Sequence, residues 1–221
     1  MKITFAIITA GDQDARINKI IDSIERNNIP EYQVIVFGGM TSTISRDKTI
    51  HLCFDETERS GWITRKKNLA TAAAMYDTVV YLHDYHAFDD DWYAGMVEFG
   101  TDWDIQMNAI KTHEGKRMLD WAIWDHPHYP LYSYVPYDNS SLVGSQYISG
   151  GYWVAKRAVM LREPLNEALV SFQAEDLEWS KRVRDKYRIV MNPKSVVRHL
   201  KVHRDAWRAA ERARPFGVPY E

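Results

Sequence analysis

A short apolar run that stops abruptly at polar side chains is the feature that most constrains this chain. Residues 79–82 read Val-Val-Tyr-Leu, which predicts a buried strand of an α/β sheet. Asp84 and His86 follow at its carboxyl end, where open α/β sheets bind ligands. Residues two apart in extended chain point to the same side, so this pair could hold a divalent metal. A polar strand end with a hydrogen-bonded histidine is the simpler alternative, because so short a motif often arises by chance.

The first forty residues have the pattern of a β-α-β unit. Residues 2–8 and 33–37 predict strands, and isoleucines at helical spacing between residues 17 and 24 predict the helix that joins them. Strands joined in this way run parallel, so the loops that follow them meet at one sheet edge. We expect these loops to cradle a nucleotide, although the Gly-rich dinucleotide fingerprint and the P-loop pattern are absent. The loop residues are Thr9, Ala10, Gly11 and Asp12 after the first strand and Gly38 and Gly39 after the second.

The composition is that of an ordinary globular protein. The chain has 221 residues and a net charge of −2, which predicts one domain and no overall attraction to nucleic acid or membranes. One cysteine cannot form an internal disulfide, and no apolar run reaches transmembrane length. We therefore predict a cytoplasmic protein without a transmembrane segment.

Two basic segments indicate an anionic ligand. Arg65, Lys66 and Lys67 fall in the first turn of a predicted helix over residues 64–76, where positive charge opposes the helix dipole. A bound diphosphate would offset that repulsion, and solvated lysines are the alternative. Residues 181–214 are also rich in Lys and Arg, which suits an anionic acceptor or a solvated helical face.

The segment 112–149 has no regular pattern and is rich in aromatic residues. So long an irregular stretch is typical of a functional loop or lid. Aromatic rings among polar groups suit sugar rings or stacked bases, and an aromatic cluster that covers the sheet is the alternative. We predict that Trp121, Trp124 and Trp153 contact an acceptor. Gly150 and Gly151 open the next strand, which indicates close approach by a ligand.

Residues 89–91 are three aspartates that precede a helical pattern over residues 92–99. The run contains the D-x-D metal motif. We favour a role at the helix start instead, because acidic side chains there cap the helix and compensate its dipole.

Four motifs occur in an order that resembles GT-A-fold glycosyltransferases of the family-two-like group. Among these, the polypeptide N-acetylgalactosaminyltransferases carry a D-x-H motif in place of D-x-D. The resemblance spans residues 2–201 and implies an α/β fold with a mostly parallel central sheet flanked by helices. The motifs are Asp84-x-His86, Gly150-Gly151, Glu175-Asp176-Leu177-Glu178 and Arg198-His199.

The resemblance implies a metal-dependent transferase that uses a UDP-sugar. Asp84, His86 and His199 would bind one Mn²⁺ or Mg²⁺, which would hold the diphosphate and stabilise it as a leaving group. The loops at residues 9–12 and 38–39 would hold the uridine. The remaining donor contacts that it implies are Arg65, Lys67, Asn68, Gly150 and Gly151.

Asp176 stands where the polypeptide transferases, which are retaining enzymes, have asparagine. In many inverting relatives the acid at this position deprotonates the acceptor hydroxyl, so we assign Asp176 as the base and Glu175 as the group that orients acceptor or sugar. Charge compensation at a helix start is the alternative for both. The usual aspartate after the second strand is absent, which leaves the nucleotide base preference open.

We divide the single domain into a nucleotide-binding half (1–86) and an acceptor-binding half (87–205), and an amphipathic pattern predicts a tail helix (206–221). The acceptor could be a saccharide, a protein or a nucleic acid. Two other functions stay open. One is a degenerate GT-A domain that only binds nucleotide or glycan, and the other is a metal-dependent nucleotidyltransferase or hydrolase.

Overall fold

The chain folds into a central sheet with helices packed against it. This computed structural model describes residues 1–11, 13–39, 44, 46–128, 132–201 and 214–215. The strands are β1 Ile3–Ile8, β2 Tyr32–Gly38, β3 Thr49–Cys53, β4 Thr78–His83, β5 His86–Phe88, β6 Ile105–Lys111, β7 Ala122–Trp124, β8 Tyr132–Tyr134, β9 Gln146–Tyr147, β10 Tyr152–Lys156, β11 Ile189–His199 and β12 Arg214–Pro215. The helices are α1 Asp14–Arg26, α2 Ile63–Ala73, α3 Trp92–Phe99, α4 Arg157–Arg162 and α5 Glu175–Val183, with a 3₁₀ turn at Val143–Ser145.

The central sheet has the strand order β3-β2-β1-β4-β10-β6-β11-β5. Strands β3, β2, β1 and β4 run parallel to one another, as the β-α-β pattern predicts. Strand β10 is antiparallel to both β4 and β6, and β5 is antiparallel to β11. The sheet is therefore mixed, and its carboxyl edge at β1 and β4 places the site described below.

Burial on both faces explains why β1 is an unbroken apolar run. All six of its residues are buried, as expected for a parallel strand covered by helices on each side. Helix α1 covers one face with the predicted isoleucines, and Ile17 and Ile24 have no exposed surface. No helix in the described part of the chain is long and apolar enough to cross a membrane.

The aromatic segment 112–149 is more regular than its sequence predicts. Strands β7, β8 and β9, with β12, form a second sheet in the order β12-β8-β7-β9. Each strand has only two or three residues, too few for a visible alternation of polar and apolar side chains. This small sheet contributes Tyr147 to the site.

Strand β11 bends at an irregularity between Asn192 and Val196. The structure also bears on two predictions about local structure, one at the start of α3 and one in the tail. Asp89 does not cap α3, because its carboxylate accepts two hydrogen bonds from Arg198 at 2.7 and 2.8 Å, and Asp91 makes no side-chain capping bond. The predicted tail helix lies outside the described residues apart from β12, which is extended. Asp12 lies outside them as well.

Candidate functional site

The carboxyl ends of β1 and β4 lie side by side and fix the position of Asp84. Ile8 is the register partner of His83, and the Asp84 amide donates to the Ile8 carbonyl at 3.1 Å. The Thr9 hydroxyl donates to Asp84 Oδ2 at 2.8 Å, and Arg16 lies 3.7 Å from Oδ1. The nucleotide-loop prediction thus places Thr9 against the predicted metal ligand.

A tight turn, and not extended chain, connects Asp84 to His86. The Tyr85 amide donates to the His83 carbonyl at 2.7 Å, and the Tyr85 hydroxyl lies 2.7 Å from His83 Nδ1. The expectation that Asp84 and His86 share one side through strand alternation is therefore wrong. Both still line the same cleft.

Strand pairing brings His199 beside His86. The two are register partners in the antiparallel β5–β11 pair, and their ring centroids are 5.3 Å apart. His199 Nδ1 lies 3.0 Å from the Lys201 carbonyl. A carbonyl only accepts, so Nδ1 carries the proton and Nε2 carries the lone pair that a metal binds. The centroid of the Tyr85 ring lies 4.7 Å from that of His86 and 4.8 Å from that of His199.

Asp84, His86 and His199 offer carboxylate oxygens and imidazole nitrogens, which are atoms of the kinds that bind a divalent cation. Burial lowers the pKa of His86 well below its usual value, so its imidazole is neutral as a ligand must be. Its Nδ1 is buried and has no hydrogen-bond partner in the described structure, and a buried polar atom of this sort is normally satisfied. As placed, however, no three His, Cys, Asp or Glu side chains within the described ranges form a closed metal site.

The glycine pair gives Asp176 access to the same cleft. A Cβ on Gly150 would lie 2.9 Å from Asp176 Oδ2, and one on Gly151 would lie 3.1 Å from His86 Cε1. The Gly150 amide donates to Asp176 Oδ2 at 3.0 Å, and the Tyr147 hydroxyl donates to the same oxygen at 2.6 Å. The close approach predicted at these glycines is therefore made by side chains of the site itself.

Lys67 and Glu175 are buried, and their charges interact. The Lys67 ammonium donates to the Gly150 carbonyl at 2.7 Å and lies 4.7 Å from the centre of the Trp153 ring. Loss of hydration lowers the pKa of Lys67 to about 8, although the negative charges of Glu175 and Asp176 act to raise it. Loss of hydration also raises the pKa of Glu175, with a further rise from the charge of Asp176.

The glycines in the loops that follow β1 and β2 pack closely against the main chain of the other loop. A Cβ on Gly38 would lie 2.0 Å from the Thr9 carbonyl oxygen, and one on Gly39 would lie 2.7 Å from the Ala10 oxygen. A Cβ on Gly11 would lie 3.6 Å from the main chain of Gly39. The two loops thus meet at one edge of the sheet, as the parallel strands predict.

Arg65 and Asn68 point to another part of the chain. Arg65 pairs with Glu167 at 2.9 Å, and Asn68 donates to the carbonyl of Leu165 and to Glu167. Neither lines the cleft. Their donor role stays a prediction, while the observed contacts give them a structural task in holding the segment at residues 165–167.

Burial contradicts the acceptor role of two predicted tryptophans. Trp121 and Trp153 are each 1% exposed, and the Trp153 ring stacks on Tyr81 at 4.9 Å. Large apolar rings at strand ends pack into the core wherever space allows, so neither can offer a face to an acceptor. Trp124 is partly exposed, with its ring 6.0 Å from Tyr147, and its acceptor role stays a prediction.

One cleft of about 650 Å³ gathers half of the predicted site residues. Its lining also includes groups that the sequence motifs do not reveal, notably Tyr85, Tyr147, Phe172 and Lys201. Only the position of Tyr85 inside the D-x-H motif could have indicated it. The predicted residues that line the cleft are Thr9, Ala10, Asp84, His86, Gly150, Gly151, Glu175, Asp176 and His199.

Comparison with solved structures decides the fold. S. aureus TarS 1-349 in complex with UDP-GlcNAc matches with a TM-score of 0.66 at 14% identity, and GalNAc-T7 with UDP, GalNAc and Mn²⁺ matches with 0.69 at 12%. Both are GT-A glycosyltransferases. The chain has the GT-A fold. No family model and no curated protein matches the sequence.

The GT-A match extends over nearly the whole chain but only part of each relative. It covers 97% of this chain and 62% of the TarS chain, and 91% of this chain and 44% of GalNAc-T7. The chain therefore spans less than two thirds of either relative, and what it shares with them is the mixed sheet with flanking helices.

Proposed function

We propose that this chain is a metal-dependent glycosyltransferase that moves a sugar from a UDP-sugar to an acceptor hydroxyl. One observation carries the proposal. Asp84, His86 and His199 line the same cleft of the GT-A fold as the acidic pair Glu175 and Asp176, with Gly150 against Asp176 and Gly151 against His86. A cation site opposite a carboxylate base suits sugar transfer from a nucleotide, because the cation stabilises the leaving diphosphate and the base activates the acceptor hydroxyl.

Asp84, His86 and His199 would hold Mn²⁺ or Mg²⁺, which when bound supplies a Lewis acid that stabilises the charge on the departing diphosphate. GalNAc-T7, which was solved with Mn²⁺ and UDP, supports this choice of ion and donor. The residues that would contact the uridine and the sugar are Thr9, Ala10, Gly11, Gly38, Gly39, Gly150 and Gly151.

Two cations beside Asp84 would also meet the diphosphate. The Arg16 guanidinium lies 3.7 Å from Asp84, and the Lys201 ammonium lies 4.2 Å from the centre of the Tyr85 ring. The charge of Asp84 raises the pKa of Lys201, although burial lowers it by more. Both groups would bind phosphate oxygens once a cation neutralises Asp84.

Asp176 would remove the proton of the acceptor hydroxyl. Its Oδ2 is held by Tyr147 and Gly150, while Oδ1 accepts from the Leu177 amide at 2.9 Å and can accept one more hydrogen bond. A fixed carboxylate with one open acceptor position suits a general base. Direct attack by the activated hydroxyl would invert the sugar carbon, and Glu175 would orient the acceptor.

The test compares Asp176→Asn with Asp185→Asn, a control at an exposed aspartate. Both proteins receive UDP-glucose, UDP-GlcNAc or UDP-GalNAc with Mn²⁺, and free UDP is measured. We expect Asp176→Asn to lose at least about a hundredfold in kcat, the range typical of a lost general base, and Asp185→Asn to match the unmodified chain. Equal rates for all three proteins would overturn the assignment of the base.

Product analysis separates the two alternatives. A nucleotidyltransferase consumes a nucleoside triphosphate and releases pyrophosphate, whereas the proposed reaction releases UDP. A degenerate domain would bind UDP without turnover, and His199→Ala would then leave activity in cells unchanged.

A further inference from the structure

One aromatic side chain in the cleft is completely exposed. Phe172 has 101% of its surface open to solvent, yet it lines the same cleft as Glu175 and Asp176. The tyrosines of the cleft form hydrogen bonds through their hydroxyl groups, Tyr85 with His83 and Tyr147 with Asp176. Phe172 has no polar atom to use in this way, so only its ring faces are available for contact with a molecule in the cleft.

The backbone at Phe172 is held in a conformation that phenylalanine rarely adopts. Its φ is +67°, and Ala174, two residues later, has φ +58°. Bulky residues avoid this region because Cβ crowds the main chain. Strain of this kind persists where the surroundings impose it, and it concentrates at ligand-binding positions.

The segment that carries Phe172 is anchored to the start of α2. The Ser171 amide donates to the Gly61 carbonyl at 2.9 Å, and the Thr64 hydroxyl donates to the Leu169 carbonyl at 2.8 Å. Gln173 accepts from the Val170 amide at 3.0 Å. Phe172 therefore projects from a fixed turn.

Its place in the chain assigns Phe172 to the acceptor side. Two residues separate it from Glu175, which begins α5 beside the proposed base. The loops that would hold the uridine follow β1 and β2, whereas Phe172 precedes the helix that carries the proposed base. A ring at this position would meet the molecule whose hydroxyl Asp176 deprotonates.

We propose that Phe172 is the platform on which the sugar ring of a saccharide acceptor packs. This inference rests on the proposed function. The C–H groups of one sugar face carry partial positive charge, which the negative face of an aromatic ring attracts. The substrate class that this platform favours is an acceptor that ends in a sugar.

The test measures saccharide binding separately from catalysis. Phe172→Ala, Phe172→Trp and a control at another exposed apolar residue, Met75→Ala, are compared with the unmodified chain after thermal melting confirms that each is folded. Saturation-transfer NMR with cellobiose, lactose and diacetylchitobiose reports which sugar protons touch the protein. UDP affinity is measured by calorimetry with Mn²⁺ present.

We expect Phe172→Ala to weaken saccharide binding about tenfold, as loss of one stacking contact does, with UDP affinity unchanged. Phe172→Trp and Met75→Ala should bind as the unmodified chain does. Equal saccharide binding by Phe172→Ala, no saccharide binding by the unmodified chain, or weaker UDP binding by Phe172→Ala would each overturn the proposal. If the unmodified chain fails to bind UDP, the proposed function fails, while the NMR comparison still decides the role of Phe172.

Discussion

His86 and His199 face each other as register partners on β5 and β11, with ring centroids 5.3 Å apart. The pairing brings a histidine near the chain's end beside the D-x-H motif at its centre. A hydrogen bond from the Leu200 amide to the Tyr85 carbonyl at 2.8 Å closes the same strand pair. The candidate metal site therefore depends on β11 as much as on the motif.

Replacing His199 should remove metal binding without unfolding the chain. His199→Ala takes away an imidazole that the proposed cation needs, whereas His113→Ala removes an exposed histidine outside the cleft. Thermal melting with and without Mn²⁺ and UDP is the measurement. We expect stabilisation by the ligands in the unmodified chain and in His113→Ala, and none in His199→Ala. Equal stabilisation in all three would exclude His199 as a ligand.

A methyl group at Gly150 should disturb the base more than the fold. In Gly150→Ala, the new Cβ would stand 2.9 Å from Asp176 Oδ2, so the carboxylate must shift. A displacement of about 1 Å at a reacting group can cost about a hundredfold in rate, and we expect a loss of that order in kcat. Gly144→Ala is the control, because its Cβ would meet nothing closer than 4.0 Å. A normal kcat for Gly150→Ala would contradict the proposed role of Asp176.

Trp121 should contribute to stability. Its ring is buried, and its indole N–H donates to the Asn139 carbonyl at 3.0 Å. Trp121→Ala should lower the free energy of unfolding by about 3–5 kcal/mol, as removal of a core aromatic does. Urea denaturation measures the loss, with exposed Val97→Ala as the control. An unchanged midpoint would show that Trp121 is not a core residue.

The buried ammonium of Lys67 should make stability depend on pH. Its pKa is about 8 in the folded chain against 10.5 ordinarily, so between these values the unfolded chain holds a proton that the folded chain has lost. The free energy of unfolding should therefore rise with pH across this window, by about 3 kcal/mol in total. Below it, both states are protonated and the contribution is constant.

Lys67→Met should remove this rise, and replacement of exposed Lys19 by Met provides the matched control. Urea denaturation at several pH values between about 7.5 and 10.5 gives the three curves. The difference between the unmodified chain and Lys67→Met should change steadily over that interval. Parallel curves would show that the ammonium is not desolvated in the folded chain.

The sequence predicts the sheet well because its strands are buried runs. Strand β1 and the isoleucine face of α1 follow directly from apolar spacing. The antiparallel direction of β10 could not be predicted in this way, because spacing along one strand says nothing about its neighbours. The bend in β11 was missed for the same reason.

Site residues could be predicted where a motif of ligand or acidic side chains identifies them. They could not be predicted where the role of a residue depends on whether it is buried. Asp84, His86 and Asp176 lie in the cleft that their motifs indicate. Trp121 reverses the expectation because it is buried, and Phe172, which no motif marks, is exposed. An aromatic residue suits a core and a sugar equally, so only the tertiary packing assigns its role.

Release of UDP by the unmodified chain tests the central claim most directly. The protein is supplied with UDP-glucose, UDP-GlcNAc and UDP-GalNAc in turn, first with Mn²⁺ and then with the metal removed by EDTA. We expect UDP release from at least one donor that stops with EDTA and returns when Mn²⁺ is restored. Release that is unaffected by EDTA, or no release from any donor with Mn²⁺ present, would contradict the account.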